Sequence, residues 1–197
     1  MINLDFLDKK QHKLLEFVIE KHGDQVRKYT NEPYWTHPVS VAKLYHKYCK
    51  ENSAAHYSMS AALCHDLLED TNCTKKELIS KLNEIDYNTM ESTFIADLVD
   101  DLTDKFTKEK FPYLNRKERK LREAIRLGGV RFESQNIKLC DLIDNSNSIT
   151  IHDPNFAVVY MEEKKFILEC MKNNNINLYI KCCSIYQNWI DSKSVDL

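Results

Sequence analysis

The run Ala62-Leu63-Cys64-His65-Asp66-Leu67-Leu68-Glu69-Asp70-Thr71 sets a histidine and an aspartate side by side in an apolar segment, with two more carboxylates close behind. On a helix of about 3.6 residues per turn, Glu69 lies four places after His65 and three after Asp66, so the three share a face. Ionisable groups in an apolar segment cost stability unless they bind something. Imidazole with carboxylate suits Mn, Fe, Zn or Mg, and neighbouring acids can handle a bound water. The stretch reads as the middle of a metal-dependent hydrolase site.

Two distant places offer ligands of the same kind. His37 follows a loop and precedes Pro38, and Asp141 sits in Ile137-Lys138-Leu139-Cys140-Asp141-Leu142-Ile143-Asp144-Asn145. Asn145 is four residues beyond Asp141 and so shares its helix face. Two His and two Asp make a mixed nitrogen and oxygen set that leaves room for water, which structural zinc sites generally do not. Each piece has a plain reading of its own: a helix cap, a chance dipeptide, an intrahelical hydrogen-bonder. The joint pattern is far more specific than its parts. Asp144 competes with Asp141 for the ligand role but points roughly 60° away from it.

The elements that must position these groups are helices. Leu14, Leu15, Val18 and Ile19 predict a helix over 8–22, with Gly23 as its stop. Pro38 fits the first turn of a second helix carrying Val39, Val41, Ala42, Leu44 and Tyr45, which puts His37 just outside it as the cap. A third helix is predicted over 53–69. Thr74 with Glu77 resembles a capping box for a fourth, running to Leu82. Residues 91–103 place Phe94, Ile95, Leu98, Val99 and Leu102 at helical spacing. Ser134 is read as the cap of the helix that carries Ile137, Leu139, Leu142 and Ile143. Asp153-Pro154 opens another, ending at Met171 before Asn173-Asn174-Asn175, and a last helix covers 176–190.

Composition agrees. The 197 residues fit one domain, and 43% hydrophobic with 29% charged is typical of a soluble globular protein. Only 3 Gly and 4 Pro leave little turn chemistry for a many-stranded sheet, which favours an all-α fold. Without repeat, linker or strand-like alternation, the prediction is a single helical bundle. No apolar run is long enough to span a membrane. The first residues hold no basic region followed by an apolar signal core, and seven cysteines without CxxC spacing read as reduced thiols, so a cytoplasmic protein is expected. A net charge of −2 gives no reason to expect nucleic-acid or membrane partners. The oligomeric state is not readable.

Taken together, these motifs resemble the HD-domain phosphohydrolase superfamily, and within it the hydrolase domain of the Rel/SpoT alarmone enzymes and their small single-domain relatives. The matching segments are Arg27-Lys28 through Glu32-Pro33-Tyr34-Trp35-Thr36-His37-Pro38-Val39-Ser40-Val41-Ala42, then Ala61 to Thr71, Leu98-Val99-Asp100-Asp101-Leu102-Thr103, and Ile137 to Asn145. The likeness covers residues 8–150 and continues through Asp153-Pro154-Asn155-Phe156-Ala157. The resemblance implies an HD-type helical bundle in which His37, His65, Asp66 and Asp141 hold one divalent ion, Mn²⁺ in the alarmone hydrolases. Glu69 and Asp70 would orient and deprotonate the attacking water. Arg27 and Lys28 would sit by the guanine base or phosphates, and Asn145 would contact the sugar. Ser148 keeps a hydroxyl where the long enzymes often carry Thr. The implied substrate is a small nucleotide, (p)ppGpp, cleaved to GDP or GTP and pyrophosphate.

The basic stretch 105–126 is a second candidate site. Lys105, Lys110, Arg116, Lys117, Lys120 and Arg122 would suit a polyphosphate, with Arg116 and Arg119 the foremost candidates. The bland reading is a solvated helix face interleaved with Glu109, Glu118 and Glu123. His12, His22, His46, His56 and His152 read as surface or core. Asp100, Asp101 and Asp104 read as helix-end charge, and Tyr34 and Trp35 as packing beside the site. Three functions stay open at this point: a (p)ppGpp hydrolase, an HD phosphatase or phosphodiesterase for another nucleotide or small phosphate ester, and a non-catalytic nucleotide sensor.

Overall fold

Small residues decide where the first helices meet. The computed structural model describes residues 3–171 and 174–194, and among these the helices gather in two compact units, Met1–Thr103 and Asp104–Leu197. In the first unit α1 (Lys9–His22), α2 (Thr36–Cys49), α3 (Ala55–Cys64), α4 (Leu67–Asp70), α5 (Lys75–Glu84) and α6 (Thr89–Leu102) follow in order. Helix α3 is the pivot. Ser58, Met59, Ser60, Ala61, Ala62, Leu63 and Cys64 are all buried on it, so it is apolar or small all round and lies inside the unit. Its short side chains let α1, α2 and α6 pack directly on it, while α5 packs on α6.

The ends of these helices follow cap chemistry. Asp8 and Gln11 form a reciprocal capping box at α1, whose far end is Gly23 at φ +52°, with its N–H donated to the Ile19 carbonyl. The predicted 91–103 helix starts earlier, at Thr89, because Asn88 and Glu91 make a second capping box. Thr74 accepts from the Glu77 N–H as expected.

Two expectations about the site helices need correction. The single helix predicted over 53–69 is broken: α3 stops at Cys64, His65 and Asp66 form the break, and one turn of helix resumes as α4. His37 does not cap α2 from outside. Thr36 and His37 donate their N–H groups to the carbonyls of Pro33 and Tyr34 (3.1 and 2.9 Å), so the helix begins before Pro38 and contains His37.

In the second unit α7 (Arg116–Leu127) packs on α9 (Pro154–Cys170), and α8 (Phe132–His152) packs on α9 and α10 (Ile176–Ser194). Only the second half of the basic stretch is helix, opened by an Asn115–Glu118 capping box; Lys105 and Lys110 lie in the turns before it. Helix α8 starts at Phe132, which leaves Ser134 buried inside it instead of capping it. Asp153 caps α9 by accepting the Phe156 N–H, with Pro154 in the first turn. Asn173 lies outside the described residues. Gly128 lets α7 approach α9 closely: a Cβ there would lie 2.9 Å from the Cys170 Cβ.

Among the described residues the only β pairing is one isolated bridge, Val26 to Pro33, so the chain is all-α. No described helix is long and apolar enough to cross a membrane. All seven cysteines are free, and burial pushes the Cys182 thiol up to about 12.

Candidate active site

Within the first unit the chain brings an oxygen and two ring nitrogens together. Asp66 Oδ2 lies 3.0 Å from His65 Nε2 and 3.5 Å from His37 Nε2, and the two imidazoles meet edge to face with centroids 5.1 Å apart. Both histidines are buried, at 4% and 3% exposure. His65 Nδ1 lies 2.9 Å from the Ala62 carbonyl oxygen. A carbonyl only accepts, so Nδ1 carries a proton, and whenever the ring is neutral Nε2 presents a lone pair towards a carboxylate. Two acceptors face to face at 3.0 Å repel unless a proton or a metal cation sits with them. The donor chemistry therefore fits a divalent ion.

The break in the helix is what frees Asp66 for this work. Aspartate at an N-cap ordinarily accepts the N–H of the second or third helical residue. Asp66 occupies the N-cap of α4 yet makes no such bond, because its carboxylate is committed to the histidines and to Tyr34. The main chain still closes the turn, with the Glu69 and Asp70 N–H groups donating to the Asp66 carbonyl at 3.1 and 2.8 Å. Glu69 and Asp70 thus follow one turn behind the cluster, on exposed positions. The Asp70 carboxyl is held above the usual carboxylate range, first by desolvation and then by the Asp66 charge, with the Tyr34 hydrogen bond opposing.

Tyr34 is the residue that sequence reasoning placed as packing and the structure places in the network. Its hydroxyl lies 2.8 Å from Asp66 Oδ2 and 2.9 Å from Asp70 Oδ2, and burial with the two charges pushes its ionisation above the ordinary tyrosine range. His22, read as surface or core, is buried beneath the Tyr34 ring at a centroid distance of 4.7 Å. Spacing gave no signal for either: His22 meets Tyr34 across the loop between α1 and α2, and Tyr34 reaches Asp66 and Asp70 past the whole of α2 and α3.

That loop also carries Arg27 and Lys28. The Val26–Pro33 bridge, the Arg27 N–H donated to the Glu32 carbonyl at 2.8 Å, and Asn31 at φ +56° fold it into a tight turn. Arg27 is half-buried, while Lys28 is exposed with its ammonium on Tyr29, 3.1 Å from the hydroxyl.

In the second unit Asp141 is buried on α8 and accepts from Lys138 Nζ at 2.7 Å and Asn145 Nδ2 at 2.5 Å. The shared face expected of Asp141 and Asn145 is present, and Lys138, one turn earlier, adds a cation that the sequence reading did not single out. A cavity of about 100 Å³ adjoins them, lined among others by Asp104, Lys120, Tyr160, Glu163 and Lys164. Ser148 and Asp144 are half-buried further along the same helix. Arg116 makes a two-pronged pair with Glu163 (2.7 and 3.0 Å), and Arg119 donates to the Leu114 carbonyl. Lys120 pairs with Asp104 at 2.6 Å. These three cations of the basic stretch have protein partners inside their own unit.

No family model matches the chain. It is similar to a guanosine-3′,5′-bis(diphosphate) 3′-pyrophosphohydrolase from Aquifex aeolicus, with 47% identity over 70 residues, 35% of this chain and 9% of that protein. A protein of the same description from Borreliella burgdorferi is 29% identical over 152 residues, covering 74% of this chain and 20% of its own length. The chain thus spans a fifth or less of these curated relatives. Among solved structures, a metazoan ortholog of SpoT, described as hydrolysing ppGpp and playing a role in starvation responses, matches with a TM-score of 0.74 and 23% identity. That match covers 92% of this chain and 96% of the other, and the two share the helical fold. The chain resembles HD-type ppGpp hydrolases in sequence segments and in fold.

Proposed function

We propose that this chain is a divalent-metal-dependent phosphohydrolase that removes the 3′-pyrophosphate of (p)ppGpp, giving GDP or GTP and pyrophosphate. The observation that carries this reading is the convergence of His37 Nε2 and His65 Nε2 on Asp66 Oδ2, with the far nitrogen of His65 tied to a carbonyl. With Asp66, the proposed ligand set is His37, His65 and Asp141, the set that the resemblance to the HD enzymes implies. When bound, a divalent ion (we propose Mn²⁺) lowers the pKa of water and neutralises charge building on the phosphoryl oxygens.

The chain's own groups do the rest. Glu69 and Asp70, which follow Asp66 on the one-turn helix α4, orient the attacking water and take its proton. Arg27 and Lys28 face the base or phosphates, Asn145 and Ser148 the sugar side. Arg116 and Arg119 join substrate only by exchanging Glu163 and the Leu114 carbonyl for phosphate oxygens. The substrate is a small molecule, and the protein works in the cytoplasm, where such nucleotides occur.

The test is incubation of Mn²⁺-loaded protein with ppGpp and identification of the products. Pyrophosphate and GDP are expected, with none from Asp66→Ala. Intact ppGpp after prolonged incubation with metal-loaded wild type would refute the substrate assignment.

A further inference from the structure

The Tyr34 hydroxyl has one proton to donate and two carboxylates in reach, Asp66 at 2.8 Å and Asp70 at 2.9 Å. Nothing in the reaction as described requires a phenol, yet this one ties a metal-ligand carboxylate to a water-handling one. We propose that Tyr34 is a positioning residue whose hydroxyl fixes the Asp70 carboxylate relative to Asp66, so that proton acceptor and metal ligand bear on the same water. The inference deepens the hydrolase reading and rests on it for the roles of Asp66 and Asp70.

The need for such a tie follows from where Asp70 sits. It is the last residue of a one-turn helix and stands at an exposed position, so its side chain has several rotamers open to it. Catalysis tolerates about 1 Å of misplacement at a cost near a hundredfold in rate. The segment 22–34 grips Asp70 at both ends. Gln25 Nε2 donates to the Asp70 carbonyl at 2.9 Å while the Tyr34 hydroxyl holds its carboxylate.

Tyr34 is itself well anchored. Its N–H donates to the Gln25 carbonyl at 2.9 Å, its ring lies 4.7 Å from that of His22, and its edge meets His37 at 5.9 Å. His22 is 3% exposed, and its Nδ1 donates to Gln25 Oε1 at 2.8 Å, so the platform under the phenol is buried and bonded. The position of the hydroxyl is thus set by the Gln25 carbonyl and the His22 ring, both outside the ligand set, and by the His37 ring within it.

Tyr34→Phe removes only the hydroxyl and keeps the ring on His22. In that variant kcat for ppGpp falls about 10- to 100-fold while KM stays within about threefold. Its Mn²⁺ dissociation constant, read by electron paramagnetic resonance of the free ion, rises about tenfold because Asp66 loses its second partner. Adding Tyr34→Phe to Asp70→Asn costs nothing more in kcat, since the group being positioned is already gone. Wild-type kcat and Mn²⁺ affinity in Tyr34→Phe, or losses that multiply in the double variant, would overturn the proposal. If wild type binds Mn²⁺ but leaves ppGpp intact, the hydrolase reading fails separately. The Mn²⁺ affinity of Tyr34→Phe then decides alone: tenfold weaker supports the tie, unchanged overturns it.

Discussion

Lys164 is fully buried on α9, with its ammonium donating to Ser146 Oγ at 2.9 Å and its ionisation pushed down to about 8 by desolvation. Its ordinary value in an unfolded chain is 10.5. Below about pH 8 both folded and unfolded chains carry the proton, and the folded chain bears the whole cost of the buried charge. Between about 8 and 10.5 the folded chain has released the proton and the unfolded chain has not, so stability rises with pH, and above that the gain is complete. At about 1.4 kcal/mol per tenfold change, the gap corresponds to about 3 kcal/mol. Lys164→Met keeps the packed stem, removes the titration and loses one hydrogen bond worth about 1 kcal/mol. The variant is therefore about 2 kcal/mol more stable than wild type at pH 7 and about 1 kcal/mol less stable near pH 11. Urea unfolding of both proteins at one-unit steps from pH 7 to 11 measures this. A variant-minus-wild-type difference that stays flat across that range would refute the reasoning.

Other perturbations have equally definite outcomes. Gly128→Ala drives a methyl to 2.9 Å from the Cys170 Cβ and 3.0 Å from its carbonyl oxygen, and lowers stability by about 1–3 kcal/mol in thermal unfolding. Glu123 accepts the Lys105 and Phe106 N–H groups at 3.1 and 3.0 Å and pairs with Arg126, so Glu123→Gln costs about 3 kcal/mol by denaturant titration. Mn²⁺ at about a hundred times its dissociation constant raises the unfolding free energy by about 2.7 kcal/mol, a gain that Asp66→Ala cuts to about 1.4 kcal/mol or less. Asp70→Asn lowers kcat about 10²- to 10⁴-fold while leaving Mn²⁺ affinity within about threefold of wild type.

Much of this was legible in the residues. Leu14, Leu15 and Val18 mark α1 by their spacing, and all three are buried there. His65 and Asp66 stand out because polar pairs are rare in so apolar a run. What periodicity could not reveal was the interruption between Cys64 and Leu67, since the apolar pattern runs straight through it and only the commitments of the Asp66 carboxylate expose it. Arg116 read as a phosphate ligand on charge alone, whereas its partner Glu163 is 47 residues away and only the packing of α7 on α9 joins them. Tyr34 was invisible for the same reason: it reaches Asp66 and Asp70 across 32 and 36 residues of chain.

The central claim is one divalent ion shared by His37, His65, Asp66 and Asp141, and a Mn²⁺ binding titration reads it without any substrate. The account predicts one ion per chain for wild type, with affinity falling at least about tenfold in each of His37→Ala, His65→Ala, Asp66→Ala and Asp141→Ala. A wild-type protein that binds no divalent ion, or an Asp141→Ala variant that binds as tightly as wild type, would contradict it.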